Sequence, residues 1–151
     1  MPKLDLNNIE QRKGTNYPEQ FAGPMKDRIR QRLGDAAGLT QFGVNLLQLS
    51  PGSWSAQRHW HSHEDEFVYI VSGEVVLVTD EGEQVMRAGD CAGFPAGVPN
   101  GHHLVNRSDK VAVCLEVGTR NPQQDRAEYP DIDMVCHPGR DGYHHKDGTP
   151  Y

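Results

Sequence analysis

Long apolar runs are missing from this 151-residue chain. No stretch approaches the ~18 residues that a membrane helix needs, and the first ten residues lack the apolar centre of a secretory leader. A cytoplasmic protein is the resulting expectation. A positive balance is missing too: 21 acidic residues outnumber 15 basic ones, for a formal charge of −6. This weighs against nonspecific binding to nucleic acid or to an acidic membrane, either of which needs a basic face. The locally basic stretch 26–32, with Lys26, Arg28, Arg30 and Arg32 around Asp27, reads as a solvated strand face rather than a phosphate site. Cysteines are few. Cys91, Cys114 and Cys136 are widely spaced, odd in number and without a CxxC pair, so neither a disulfide framework nor a zinc knuckle is suggested. Cys91 and Cys114 read as small buried residues. No run sustains a 3.6-residue apolar period, which argues against a recognition helix and against a coiled coil.

Turn-forming residues are abundant, with 16 glycines and 10 prolines. That density favours short strands over long helices. Strand-like runs lie at 39–49, 67–71, 74–79, 84–87, 91–94, 103–106 and 111–117. Between them fall turn signals such as Ser50-Pro51-Gly52, Ser72-Gly73, Ala88-Gly89-Asp90 and Pro95-Ala96-Gly97. A repeat of about 8–12 residues with turns between strands fits an all-β sandwich or barrel. One domain is expected over residues 1–151, its core barrel at about 39–117. Residues 1–38 read as an N-terminal arm, within which 25–33 is either one helical turn or an edge strand. Residues 118–151, rich in Asp, Pro, Gly and His, read as a C-terminal tail or lid.

The chemistry concentrates in His59-Trp60-His61-Ser62-His63-Glu64-Asp65-Glu66. Side chains two apart on a strand point the same way, so His59 and His61 face one side together. Glu66, after a bend, can add a carboxylate. Two imidazoles and one carboxylate make half of a site for a borderline first-row metal. A further ligand is available from His102 or His103, just before another strand. Five of the eight histidines fall in these two short segments, a concentration that scattered surface use would rarely give.

Gly52, His59, His61, Glu66 and Gly73 resemble the first motif of the cupin superfamily. The His-x-His-to-Glu and Glu-to-Gly spacings match, and the first gap is longer by one residue. Gly89, Pro95, Gly97, His102 and Asn106 resemble the second motif, with four residues before His102 where the family usually has two. His102 keeps the family's gap to Asn106 and shares its strand parity, so it is preferred over His103. The resemblance implies a double-stranded β-helix, or jelly roll, holding a divalent first-row metal (Zn, Fe, Mn or Ni) through His59, His61, Glu66 and His102. It also implies a small-molecule ligand or substrate and a homodimer formed through the sheets and N-terminal segments. Cupins with such ligands include sugar and sugar-phosphate isomerases, dioxygenases, decarboxylases and lyases. The alternative is a non-catalytic cupin that binds or senses a small ligand.

Other polar residues are weighed against that frame. Glu116, the isolated acid in the run 111–117, lies either at the barrel rim or near a cation, and is the candidate catalytic acid or base. His63 fits neither motif gap and reads as a turn residue. Gln57 shares parity with His59 and is expected to line the pocket, whereas Arg58 and Trp60 pack or face solvent. Tyr69 is expected to point away from the metal. His137, His144 and His145 read as surface residues of the tail.

Overall fold

The computed structural model describes residues 3–151. The strands are β1 (Arg12–Lys13), β2 (Ile29–Arg32), β3 (Phe42–Leu49), β4 (Trp60–His61), β5 (Glu66–Ser72), β6 (Glu74–Thr79), β7 (Gly82–Arg87), β8 (Cys91–Phe94), β9 (His103–Val105), β10 (Ala112–Thr119), β11 (Ala127–Tyr129) and β12 (Met134–Cys136). The α-helices among the described residues are single turns, α1 (Glu19–Ala22) and α2 (Leu33–Ala36). None is long and apolar enough to cross a membrane.

Alternation builds the barrel. Along β5, Val68 and Ile70 turn inward while Phe67, Tyr69 and Val71 stay exposed. β10 pairs antiparallel with both β5 and β3, and its inward residues Ala112 and Cys114 meet Ile70, Leu47 and Leu49. Val75 and Leu77 of β6, Met86 of β7 and Leu104 of β9 close the same core. Each such buried aliphatic side chain contributes roughly 1.5–3 kcal/mol. One six-stranded sheet runs β1-β2-β3-β10-β5-β8, and a three-stranded sheet runs β7-β6-β9. The fold is all-β, a cupin-type barrel.

Local chemistry fixes the turns. Gly73 joins β5 to β6 at φ 80, where a Cβ would meet Ala112 Cα at 2.8 Å. Only glycine fits that combination of handedness and closeness.

Both ends of the chain join the barrel. Within the stretch 25–33, Met25 ends a 3-10 turn and Ile29–Arg32 forms β2, which sits inside the sheet between β1 and β3 and not at its edge. The arm crosses behind it, where the buried Gln31 donates to the carbonyls of Leu6 and Ile9 at 2.8 and 3.0 Å. At the other end, β11 pairs with β12 and with β4, so the C-terminal segment lies against the histidine-bearing strand. A second apolar cluster of Ala127, Tyr129 and Met134 packs there on Tyr17 and Phe21 of the arm.

Several single-residue expectations are corrected. Cys91 is exposed, because its parity on β8 is opposite to that of Ala92 and Phe94. Cys114, by contrast, is buried as expected, and burial pushes its thiol up to about 12, which leaves it unreactive. His144 is buried as well, since its backbone pairs with Val135 inside the tail. Gln57 is buried but turns to the Phe21 carbonyl, to which its Nε2 donates at 2.8 Å. Residues 55–58 are bends rather than a continuous strand, so strand parity does not carry from His59 back to Gln57.

Candidate metal centre

Three backbone segments deliver the histidines and the glutamate. His59 and His102 face each other across an antiparallel bridge, each donating its N–H to the other's carbonyl at 3.2 and 2.8 Å. His61 ends β4, and Glu66 opens β5 after the intervening bend. One carboxylate oxygen, Glu66 Oε2, lies 2.8 Å from His102 Nε2, 3.5 Å from His59 Nε2 and 3.6 Å from His61 Nε2. His59, His61 and Glu66 form a group that could hold a metal ion. All four side chains are brought together, whereas the His103 ring turns away. It packs edge-on against Trp54 with centroids 4.7 Å apart, and its Nδ1 lies 3.0 Å from the Ala56 carbonyl.

Hydrogen bonds at the far nitrogens orient the imidazoles. His61 Nδ1 lies 2.6 Å from Asp125 Oδ2, His59 Nδ1 lies 2.8 Å from the Gln57 carbonyl, and His102 Nδ1 lies 3.4 Å from the Asn100 carbonyl. All three partners are acceptors and favour the proton on each Nδ1, which lets each Nε2 present a lone pair to a metal; without one, Nε2–H of a protonated ring can donate to Glu66. Lone pairs crowded around an anionic oxygen repel one another unless a cation lies among them. Protons can meet that demand in part, and a divalent metal meets it fully. The donor set therefore fits a borderline first-row ion.

The titration directions follow from the same arrangement. Burial acts to raise Glu66, but hydrogen bonds from His102 and His59 outweigh it and hold the carboxyl well below its usual range. Burial acts to lower His61, yet the Asp125 bond and the nearby carboxylates raise it. His102 goes down, because burial outweighs its bond to Glu66. Glu64 is pushed up by burial, against the hydrogen bond it accepts from Asn121 N–H at 2.5 Å.

Packing holds the rings. Phe94 stacks on His102 with centroids 3.6 Å apart, and Tyr129 stacks on His59 at 5.6 Å. His63 is exposed at the bend, with its Nδ1 facing Ser62 Oγ. Arg58 packs inward, holding both oxygens of Asp131 at 2.7 and 2.6 Å and pairing with Asp80. Tyr69 is exposed on the outer face.

The cluster opens into a cavity of about 430 Å³, within the range of small-molecule sites. Glu116 lines that cavity, and its Oε2 pairs with Arg30 Nη2 at 3.0 Å. Arg28 and Arg30 line it as well, which corrects the reading of 26–32 as a solvated face. Arg30 on β2 pairs with Leu47 and shares its inward parity, Arg28 just before the strand has the same parity, and at this end of the barrel the inner face borders the cavity instead of the apolar core. Asp125 is the residue that sequence reasoning missed. It lies in an irregular polar segment with no motif around it, and only the long-range pairing of β11 with β4 brings it to His61.

A β-barrel with a His/Glu cluster opening into a polar cavity defines a cupin. The chain belongs to the cupin superfamily: the Cupin domain family matches residues 45–118. A sugar phosphate isomerase of this superfamily from Silicibacter pomeroyi is 51% identical, with 99% of this chain and 96% of that one covered and a TM-score of 0.92. A proposed sugar phosphate isomerase from Acidithiobacillus ferrooxidans is 35% identical over 72% of this chain and 69% of that one, with a TM-score of 0.68. The polyketide cyclase RemF from Streptomyces resistomycificus shares the fold at 19% identity, over 79% of each chain, with a TM-score of 0.64. No functionally curated protein matches the chain.

Proposed function

We propose that this chain is a metal-dependent isomerase of a small sugar or sugar phosphate. His59, His61, Glu66 and His102 hold a divalent first-row metal (Zn, Fe, Mn or Ni), and Glu116 is the acid or base that moves the proton. The observation that carries this reading is the presence of the Glu116 carboxylate in the same cavity as the His/Glu cluster. Its support from relatives is the isomerase from Silicibacter pomeroyi, similar along nearly the whole chain.

When bound, the metal supplies Lewis-acid polarisation of a carbonyl or enediolate oxygen. The chain's residues do the rest. Asp125 and the carbonyls of Gln57 and Asn100 keep the three Nε2 atoms on the Glu66 side, where they would meet a shared ion. Arg30 fixes the Glu116 carboxylate in place, where it takes the proton from the carbon beside the carbonyl and returns it to the former carbonyl carbon, while the hydroxyl proton passes from one oxygen of the enediol to the other. The aromatic walls of Phe94 and Tyr129 limit access of water to the imidazoles.

The test is solvent exchange. Metal-replete protein is incubated in D2O with aldose and ketose phosphates and with the free sugars, and deuterium uptake beside the carbonyl is followed by NMR. Exchange and interconversion are expected, with Glu116→Gln lowering the rate about 10²–10⁴-fold at unchanged metal content. If no aldose or ketose exchanges with the wild-type protein, the isomerase reading fails and a non-catalytic binding cupin takes its place.

A further inference from the structure

Arg28 is 6% exposed, among the most buried charged side chains of the structure. Its hydrogen bonds end on neutral acceptors: Nε donates to the Gly14 carbonyl at 3.1 Å and Nη1 to the Ser55 carbonyl. Among the described residues it forms no salt bridge. Arg30, two residues on, has one carboxylate partner in Glu116, while its Nε is buried with no hydrogen-bond partner at all. Both side chains line the cavity onto which the His/Glu cluster opens. Two guanidinium charges thus share one carboxylate at a buried wall. Arg120, on the same cavity, is paired with Asp35 at 2.6 Å and adds no free charge.

Burying an uncompensated guanidinium is costly, and the cost is recovered when an anion enters. Burial and repulsion from Arg30 already work against the Arg28 charge. The neighbouring wall adds neutral polar groups, with the Tyr143 hydroxyl 3.3 Å from Asn16 Oδ1 and Tyr17 beside them. We propose that Arg28 and Arg30 form an anion subsite that takes the phosphate monoester of the substrate, separate in residues from the His/Glu cluster. This rests on the isomerase reading for its substrate, but not for the binding itself. Planar guanidinium forks with unused N–H donors suit a phosphate dianion, and the second guanidinium, that of Arg28, which has no carboxylate partner among the described residues, offsets the repulsion from Glu116.

Binding of inorganic phosphate, followed by calorimetry, tests the subsite in four proteins: the metal-replete wild type, Arg28→Gln, Arg30→Gln and His61→Ala. Phosphate is expected to bind the wild type, and to bind each arginine variant at least about tenfold more weakly, the loss that a charge-assisted hydrogen bond carries. His61→Ala, lacking a metal ligand, is expected to keep wild-type phosphate affinity within about twofold, since the arginines do not depend on the metal. Arg28→Lys guards against a folding defect: it keeps the charge and should fall between wild type and Arg28→Gln. The proposal is overturned if Arg30→Gln binds phosphate as well as the wild type does. Loss of binding in His61→Ala alone overturns it equally, because the phosphate then sits on the metal. Phosphate held by the arginines without isomerisation would sink the isomerase reading and leave the subsite standing. Isomerisation of free sugars, with phosphate indifferent to both arginines, would do the opposite.

Discussion

Asp125 Oδ2 lies 2.6 Å from His61 Nδ1, so a residue of the C-terminal segment fixes an imidazole 64 positions earlier. Its other oxygen, Oδ1, accepts from His63 N–H at 2.9 Å, which ties the bend after β4 to the same carboxylate. Asp125→Asn should therefore weaken metal binding by about 10–100-fold, the usual effect of losing such an orienting partner. Titration with a chromophoric chelator measures this.

The same pair makes a pH-dependent contribution to stability in metal-free protein. Burial acts against both charges, yet their contact holds Asp125 below its usual range and His61 above its own. Sign decides the window. The Asp125 contribution is present above about pH 4 and is lost as pH falls through the depressed value. The His61 contribution is present below about pH 6.5 and is lost as pH rises through the raised value. The stability gap between wild type and Asp125→Asn, measured by urea unfolding, should be widest at about pH 5–6 and narrow on either side.

His102 and His103 are adjacent, yet only His102 points its Nε2 at Glu66, 2.8 Å away. His102→Ala should lower the metal content, and His61→Ala should strip the site while leaving a folded barrel. His103→Ala should retain the metal and cost about 1–3 kcal/mol, since it leaves the buried Ala56 carbonyl without its partner. Elemental analysis beside denaturant unfolding separates the two effects. Metal loss on replacing His103 in place of His102 would reverse the ligand assignment.

The strands were legible wherever parity and glycine turns agreed. The runs read at 74–79 and 91–94 coincide with Glu74–Thr79 and Cys91–Phe94, and the motif spacing brought His59, His61, Glu66 and His102 into one cluster. Short or irregular segments were not legible. β2 and the residue before it show no apolar alternation, so nothing local reveals that Arg28 and Arg30 turn toward a cavity. Gln57 was misplaced because its backbone bends, and His144 because the tail pairs with itself. Asp125 depends on pairing between β11 and β4, a contact between distant parts of the chain that no periodicity encodes.

Asn106 has no exposed surface, and every hydrogen-bonding position of its side-chain amide is used. Nδ2 donates to the carbonyls of Leu49 and Lys110, both at 2.7 Å, and Oδ1 accepts from Ser108 N–H at 2.9 Å and Ser108 Oγ–H at 2.8 Å. This amide braces the turn between β9 and β10 against the end of β3. Asn106→Leu keeps the volume and removes the bonds: the Leu49 carbonyl and the Ser108 N–H lose this partner, while the Lys110 carbonyl keeps Ser108 Oγ at 3.0 Å. A loss of about 2–4 kcal/mol is expected in urea unfolding, with metal stoichiometry unchanged in the folded protein. A loss below about 0.5 kcal/mol would mean that water replaces the amide.

The outer face of the six-stranded sheet carries Phe67, Tyr69 and Val71 on β5, exposed at 43%, 41% and 49%. Val113, Leu115 and Val117 on the adjacent β10 present the same face, and Val44 and Leu46 of β3 extend it. A contiguous apolar sheet face of this kind is costly to leave in water, and a second copy of the same face would cover it by two-fold symmetry. Light scattering after size exclusion should give the mass of a homodimer for the wild type. Phe67→Glu with Tyr69→Lys should give a monomer that still binds metal, because both side chains point away from the His/Glu cluster. A monomeric wild type at micromolar concentration would rule this face out as a stable interface. A dimer that survives both substitutions would move the interface to the arm, where β1 forms the sheet edge.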